Sequence, residues 1–236
     1  MNITLISVNT TSKENRARLY FKGDWLAPMG FLPDALVQAL PEPGGMVIRL
    51  CDENIPKYSA LVQETAAKGG KLIFGTCEQG TSLVTSGDYI YNGGLALGDS
   101  CVALYDYGLI RVRKLPPQTK IILAKRKQPK SRMICGNWLL DIGFIPEALI
   151  AVSAEPGKIT LSLQNNRIDS YAALVKHARI HKMRLIQVMS KTDLICIAIP
   201  DISLKKAGLA IDEPYYAQYD HGLITLSRPD FQALGF

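Results

Sequence analysis

The chain has 236 residues, of which 47% are apolar and 20% are charged, so it is long enough to bury one or two ordinary cores. This composition argues against disorder and a collagen-like repeat, and no apolar run reaches the roughly 18 residues that a membrane-spanning helix needs. The N-terminus lacks a basic segment followed by a long apolar run, so we expect a cytoplasmic protein without a secretion signal.

Runs of strand-forming residues open four similar segments of the chain. Each run is followed by a polar loop and a second strand, as residues 18–21 illustrate in the first segment. A short helix of about two turns comes next, because Asp24 or Asn137 fits its N-cap and a glycine such as Gly30 or Gly143 fits its end. The opening runs are residues 3–8, 71–74, 121–124 and 184–188.

Each segment is predicted to end in a hairpin of two strands, with a glycine supplying the positive φ that a tight turn needs. Two longer helices, residues 57–68 and 170–181, are predicted from apolar residues at i, i+3, i+4 and i+7. They connect the segments in pairs. The turn sequences are Pro43-Gly44-Gly45, Asp106-Tyr107-Gly108, Pro156-Gly157 and Asp220-His221-Gly222.

These elements recur because the chain is an internal duplication with a period of 113 residues: Trp25 returns as Trp138 and Gly30 as Gly143. A weaker similarity relates the two segments inside each copy. The sequence therefore predicts two domains, residues 1–115 and 116–236, built from four related units. The units span about residues 3–50, 71–113, 120–163 and 184–227.

The clearest pattern begins at Arg18 and reads Arg-Leu-Tyr-Phe-Lys-Gly-Asp-Trp-Leu, then Gly30-Phe, then Val-Ile-Arg-Leu from Val47. It returns from Met133 as Met-Ile-Cys-Gly-Asn-Trp-Leu, followed by Gly143-Phe. This pattern resembles the SymE-like toxin family, within the AbrB and MazE type of swapped-hairpin β-barrel. The first and third units carry the resemblance, whereas the second and fourth lack the Trp-Leu step.

The resemblance implies a mainly β fold with short helices (α+β), arranged as two swapped-hairpin AbrB-like β-barrels built from the four internal repeats. It also implies contact with DNA or RNA through basic residues on the sheets and loops. No acid, base or nucleophile of the family maps onto this chain. The catalytic residues therefore stay unknown, and whether the protein is an enzyme stays open.

The formal charge of +6 is unevenly distributed, since residues 1–113 carry 10 Lys and Arg against 11 Asp and Glu, and residues 114–236 carry 17 against 10. Residues 114–132 hold seven basic residues and no acidic one. We predict that this junction lies along phosphates, although a solvated linker explains the same charge. The predicted nucleic-acid-binding residues are Lys120, Lys125, Arg126, Lys127, Lys130 and Arg132, with Arg16 and Arg18 from the matching loop of the first copy.

Other reactive side chains are interpreted structurally. The five cysteines are far apart without CxxC spacing, so we expect small buried apolar residues in a reducing compartment. His177 and His181 stand four apart on a predicted helix, but a third metal ligand is missing and we expect a solvated face. Trp25 and Trp138 are predicted to cap the barrel ends as core residues, with base stacking as the alternative. No metal or other cofactor is predicted.

The leading prediction is a bacterial nucleic-acid-binding protein that contacts the phosphates of DNA or RNA through the basic junction. One alternative is an endoribonuclease toxin with unidentified catalytic residues. Another is a protein-interaction module or antitoxin-like regulator without nucleic-acid binding, suggested by clustered tyrosines such as Tyr105 and Tyr107. No membrane partner is expected. The chain is predicted to be a monomer with internal pseudo-dimers, or a homodimer.

Overall fold

A computed structural model describes residues 2–10, 16–51, 58–74, 76–77, 81–123, 131–164, 171–191 and 193–236. Within these ranges the chain forms nineteen strands and five short helices, which confirms a mainly β fold. The chain divides into two compact units. Unit 1 comprises residues 1–116 with the C-terminal residues 231–236, and unit 2 comprises residues 117–230.

Unit 1 contains a six-stranded antiparallel sheet and a four-stranded antiparallel sheet. The C-terminal residues also pack here, since Arg113 Nε donates to the Gly235 carbonyl at 2.9 Å. The elements are β1 (Asn2–Ser7), β2 (Asn9–Thr10), β3 (Ala17–Lys22), β4 (Leu36–Glu42), β5 (Gly45–Leu50), α1 (Tyr58–Ala67), β6 (Lys71–Phe74), β7 (Thr76–Cys77), β8 (Thr81–Ser86), α2 (Tyr89–Asn92), β9 (Ser100–Asp106) and β10 (Leu109–Lys114).

Unit 2 contains a six-stranded and a three-stranded sheet, both antiparallel. The predicted helix over residues 170–181 is confirmed as α4, just as the helix over residues 57–68 is confirmed as α1. The elements are β11 (Thr119–Ile122), β12 (Ser131–Cys135), α3 (Trp138–Asp141), β13 (Leu149–Glu155), β14 (Lys158–Leu163), α4 (Tyr171–Ile180), β15 (Arg184–Gln187), β16 (Met189–Lys191), β17 (Leu194–Pro200), α5 (Asp201–Ala207), β18 (Tyr215–Asp220) and β19 (Leu223–Ser227).

The two six-stranded sheets have the same strand order. In unit 1 the order is β1-β9-β10-β5-β4-β6, and in unit 2 it is β11-β18-β19-β14-β13-β15. The smaller sheets correspond in the same way, as β2-β3-β8-β7 and β12-β17-β16. The internal period seen in the sequence is thus matched by equivalent strands at equivalent places.

The predicted closed barrels are not found, because the strand pairings of the described residues leave β1 and β6 as sheet edges in unit 1, and β11 and β15 in unit 2. The physical reason is a change of sheet along the chain. The chain leaves the large sheet after β1 and enters the small sheet as β2, and it repeats this step from β6 to β7. Each core therefore lies between two sheets.

The predicted hairpin turns are confirmed. The Asp106 carboxylate accepts a hydrogen bond from the Tyr107 amide at 2.9 Å, and Asp220 does the same for His221 at 2.7 Å. The short helix is confirmed only in part. Residues 24–30 form consecutive turns, and Asn137 precedes α3 without any side-chain capping bond.

A buried polar network joins α1 to the large sheet of unit 1. Gln38, which is 1% exposed, donates from Nε2 to the Thr65 hydroxyl at 2.6 Å and accepts from Arg49 Nε at 2.6 Å. The Thr65 hydroxyl donates in turn to the Leu61 carbonyl at 2.7 Å. In unit 2 the positions of Gln38 and Thr65 are occupied by buried Ala151 and Ala178. The two copies therefore attach this helix by different chemistry.

Replacing Thr65 with valine keeps the shape of the side chain but leaves the Gln38 amide without its buried acceptor. We expect Thr65→Val to lower the free energy of unfolding of unit 1 by about 1–3 kcal/mol, measured by urea denaturation. The control is Ser59→Ala on the exposed side of α1, for which we expect a change within about 0.5 kcal/mol. Equal effects of the two substitutions would contradict the structural importance of the network.

Candidate nucleic-acid interface

Lys120 lies on β11, an edge strand of the large sheet of unit 2. Its side chain is half-buried, and Nζ stands 5.4 Å from the centre of the Trp138 ring. A cation at this distance from an indole is attracted by the negative face of the ring. Lys120 and Trp138 thus place a positive charge and an aromatic ring next to each other.

Trp138 begins α3 and is held by a glycine turn. Gly136 has a φ of +148°, and a Cβ at this position would come within 2.5 Å of Trp138 Cδ1. The half-buried indole also contacts the Tyr219 ring, with 4.9 Å between centroids. Glycine allows the backbone to pass close beneath the indole, so the Trp138 ring is held against Tyr219 and Lys120.

Unit 1 repeats this corner without the lysine. Trp25 stacks on Tyr105 at 4.0 Å between centroids, and its Nε1 donates to the Lys22 carbonyl at 3.3 Å. By strand register Thr4 occupies the position of Lys120. Both tryptophans are half-buried and pack against their cores. The prediction that they are core residues is therefore confirmed only in part, because each indole packs against its core and is still partly exposed.

Four of the predicted junction residues, Lys125, Arg126, Lys127 and Lys130, lie outside the described residues. The other two predicted residues of the junction, Lys120 and Arg132, have a described environment. Lys120 lies within β11, before residues 124–130, and Arg132 lies on β12, after them.

The structure corrects the predicted phosphate-binding set at Arg132. This residue is only 4% exposed, so its side chain is buried. Its guanidinium donates to the carbonyls of Ile122 at 2.9 Å and Ile211 at 3.2 Å, and lies 5.0 Å from the Tyr215 ring centre. Burial lowers the pKa of this guanidinium from its usual value. The cause is the strand register: the 113-residue period puts Arg132 at the inward-facing position of Leu19, which is fully buried in unit 1. Arg132 is thus a structural residue of unit 2.

Arg16 and Arg18 belong to unit 1. Arg16 is exposed, whereas Arg18 is half-buried on β3 with its guanidinium 5.3 Å from the Tyr20 ring centre. The Arg18 Nε is buried and has no hydrogen-bond partner. Arg16 thus lies at the surface, and Arg18 packs against Tyr20 of its own strand.

The histidines take the predicted positions on the surface. His177 and His181 are both exposed on and just after α4, with ring centroids 4.3 Å apart. Within the described ranges no group of three or more His, Cys, Asp or Glu side chains could hold a metal ion. His221 lies in the turn between β18 and β19.

The cysteine prediction is wrong for two residues. Cys135 on β12 and Cys196 on β17 are paired across the small sheet of unit 2 and form a disulfide. Cys101 fits the prediction, because it is fully buried and burial raises the pKa of its thiol to about 12, with Asp99 raising it further and Lys114 opposing. Equivalent positions in unit 1 carry Lys22 and Ser82, so the disulfide is specific to the second copy.

A further basic segment lies outside the predicted phosphate-binding residues. Residues 176–184 read Lys-His-Ala-Arg-Ile-His-Lys-Met-Arg and contain four Lys and Arg residues without an acid. This run of basic residues can be read directly from the sequence. It does not appear in the net charge of the second copy outside residues 114–132, because acidic residues elsewhere in the copy balance it.

Comparison with known proteins gives no matching family model and no match among curated proteins. Among the helices in the described residues, none is long and apolar enough to cross a membrane.

Proposed function

We propose that this chain is a nucleic-acid-binding protein whose main contact lies at the β11 edge of unit 2 and in the basic residues that follow that strand. The cluster of Lys120, Trp138 and Tyr219 carries the proposal. Proteins that hold single strands combine cations for the phosphates with aromatic rings on which bases stack. Here both kinds of group meet at the strand that leads into Lys125, Arg126 and Lys127.

The charge of the junction supports the same proposal. Each phosphate neutralised by a lysine or arginine releases counterions, so affinity rises with the number of basic contacts and falls steeply with salt. Arg132 is withdrawn from this set because its guanidinium is buried. Lys120, Lys125, Arg126, Lys127 and Lys130 remain the proposed phosphate-binding residues of unit 2.

A finer description of the fold belongs to the proposal. Within each large sheet the first strand of one quarter lies beside the hairpin of the other quarter, with β1 next to β9 and β6 next to β4. This exchange supports two copies, each made of two related quarters with swapped hairpins. It is the arrangement expected from the resemblance to SymE-like toxins and AbrB-type proteins.

The test is fluorescence anisotropy with labelled single-stranded DNA, the same RNA and the duplex, each about 20 nucleotides long. Trp138→Leu is expected to weaken single-strand binding about tenfold, because stacking one base contributes about 1–3 kcal/mol. Lys120→Gln is expected to reduce the salt dependence, with the slope of log K against log[salt] falling by about 0.7 for a single strand.

The matched control is Trp25→Leu in unit 1, where Thr4 stands in place of the lysine. We expect this variant to bind within about twofold of the wild type. The proposal fails if no probe binds at low salt, or if Trp138→Leu and Lys120→Gln both bind like the wild type. If the same samples contained shortened RNA, the protein would be an endoribonuclease and not a protein that only binds nucleic acid.

A further inference from the structure

The surface formed by the end of α4 and the start of β15 is strongly basic. Six of its side chains are exposed, and we call them together the α4 basic face. Of the other residues in 176–184, Ala178 is buried, Met183 is half-buried and Ile180 is exposed. The members of the α4 basic face are Lys176, His177, Arg179, His181, Lys182 and Arg184.

No ion pair among the described residues neutralises the cations of this face. In the described part of the chain, none of the four Lys and Arg side chains forms an ion pair within 4.0 Å. Glu155 on the neighbouring strand β13 is exposed and forms no such pair either. Four cations close together repel one another, so the arrangement favours an anion from outside the chain.

Unit 1 shows what the same helix requires structurally. The equivalent residues 63–71 read Gln-Glu-Thr-Ala-Ala-Lys-Gly-Gly-Lys, and Lys68 is paired with Glu64 four residues before it. This copy therefore carries a balanced pair on its exposed side. The helix forms with the same length in both units, so the positive charge of unit 2 is not needed for folding.

The backbone at Lys182 gives a second observation. The helix ends in the same way in both units: the Gly70 amide donates to the Thr65 carbonyl at 2.9 Å, and the Met183 amide donates to the Ala178 carbonyl at 2.8 Å. The residue before that amide is left-handed in each case, with a φ of +66° at Gly69 and +53° at Lys182. Glycine adopts this conformation without strain, whereas a lysine there costs about 1 kcal/mol. Unit 2 thus keeps a lysine where the backbone favours glycine.

Stabilisation of the helix end explains only part of this charge. Basic side chains in the last turn interact favourably with the C-terminal carbonyls, by about 0.3–1 kcal/mol each. That effect covers His177 and Arg179, which lie in the last turn of α4. It does not account for Lys176, or for Arg184 on the following strand.

We propose that the α4 basic face is a second phosphate-binding surface of unit 2, which binds the backbone of a nucleic acid separately from the β11 edge. This inference rests on the proposed nucleic-acid binding and extends it to the opposite edge of the large sheet, since β11 and β15 are its two outer strands. Five strand spacings separate them, or about 24 Å. A nucleic acid that contacts both clusters must therefore extend across the unit.

An anionic membrane is the weaker fit for the same charge. Helices that bind at a membrane surface bury a broad apolar face between the lipids. Among the described side chains of α4, Ala178 is buried, with 5% of its surface exposed. Within 176–184 Ile180 is the one exposed large apolar residue, which favours phosphates along a polymer over a lipid surface.

The test compares the full chain with two double variants of equal charge. Lys176→Gln/Lys182→Gln removes two cations of the α4 basic face, and Lys158→Gln/Lys206→Gln removes two exposed lysines elsewhere in unit 2. We expect the first variant to weaken binding of a duplex about tenfold at low salt. Its slope of log K against log[salt] should fall by about 1.8, which corresponds to two lost phosphate contacts. The control variant should keep the wild-type slope.

Lys182→Gly separates binding from folding. Glycine relieves the left-handed strain, so the thermal midpoint should stay level or rise while the salt slope falls by about 0.9. The inference is overturned if the wild type binds duplex but both α4 variants keep its slope, and the proposed β11 contact then stands. If the wild type binds no nucleic acid and binds vesicles of anionic phospholipid instead, both proposals fall.

Discussion

Removing the disulfide of unit 2 is expected to lower the free energy of unfolding of that unit by about 2–4 kcal/mol. Cys135 and Cys196 are 61 residues apart. In the chain-entropy description, a cross-link that closes a loop of this length lowers the entropy of the unfolded chain and raises its free energy by about 4 kcal/mol. The variant is Cys135→Ala/Cys196→Ala, followed by calorimetry or chemical denaturation. Unit 1 should be unaffected, because it has Lys22 and Ser82 at the equivalent positions.

Reductant provides the matched control for this prediction. Treating the wild type with dithiothreitol breaks the cross-link and keeps both sulfur atoms, so it separates the cross-link from the packing of the side chains. We expect reduced wild type to unfold close to the double alanine variant, and the variant to show no response to reductant. Identical unfolding of oxidised and reduced wild type would contradict a stabilising disulfide.

Replacing Arg132 with alanine is expected to destabilise unit 2 by about 2–4 kcal/mol without changing the affinity of the folded protein for nucleic acid. The substitution leaves the carbonyls of Ile122 and Ile211 without the donors they now have. It also removes a guanidinium that packs near Tyr215 and opens a cavity. Unfolding is measured by denaturant titration, and binding by anisotropy at a temperature where the variant is folded.

Arg132→Leu is the informative companion because leucine is the residue that unit 1 has at this position, Leu19. Leucine fills much of the space but restores neither hydrogen bond, so its effect on unfolding should be smaller than that of alanine. A salt slope reduced by about 0.9 in either folded variant would restore Arg132 as a phosphate contact and contradict its structural role.

Much of the secondary structure could be predicted because its signals are local. Alternating apolar residues mark the strands, and the glycine turns at Gly44, Gly108, Gly157 and Gly222 place the hairpins where the structure has them. The two connecting helices follow from apolar spacing. The duplication added independent support, since each element was seen twice in the sequence.

The features that were missed depend on which strands become neighbours. The disulfide requires β12 to pair with β17, and no signal in a single sequence reveals that pairing. Whether the Arg132 side chain points into the core or toward solvent depends on its position in the strand. Side chains alternate between the two faces, so an alignment that is wrong by one residue exchanges buried and exposed positions. The 113-residue period aligns Arg132 with the buried Leu19 and not with the half-buried Arg18. The partnership of Lys120 with Trp138 likewise depends on tertiary packing.

Tandem copies with one strand order carry a folding hazard, because a strand of one copy can dock in the sheet of the other and produce a hybrid. The interiors described above make such hybrids unfavourable. Gln38 placed beside Ala178 would lose its buried acceptor, whereas Arg132 is bound to carbonyls of its own unit. Because the two interiors have diverged, a strand packs less favourably in the other copy than in its own. This difference in stability favours the correct pairing of strands within each half of the chain.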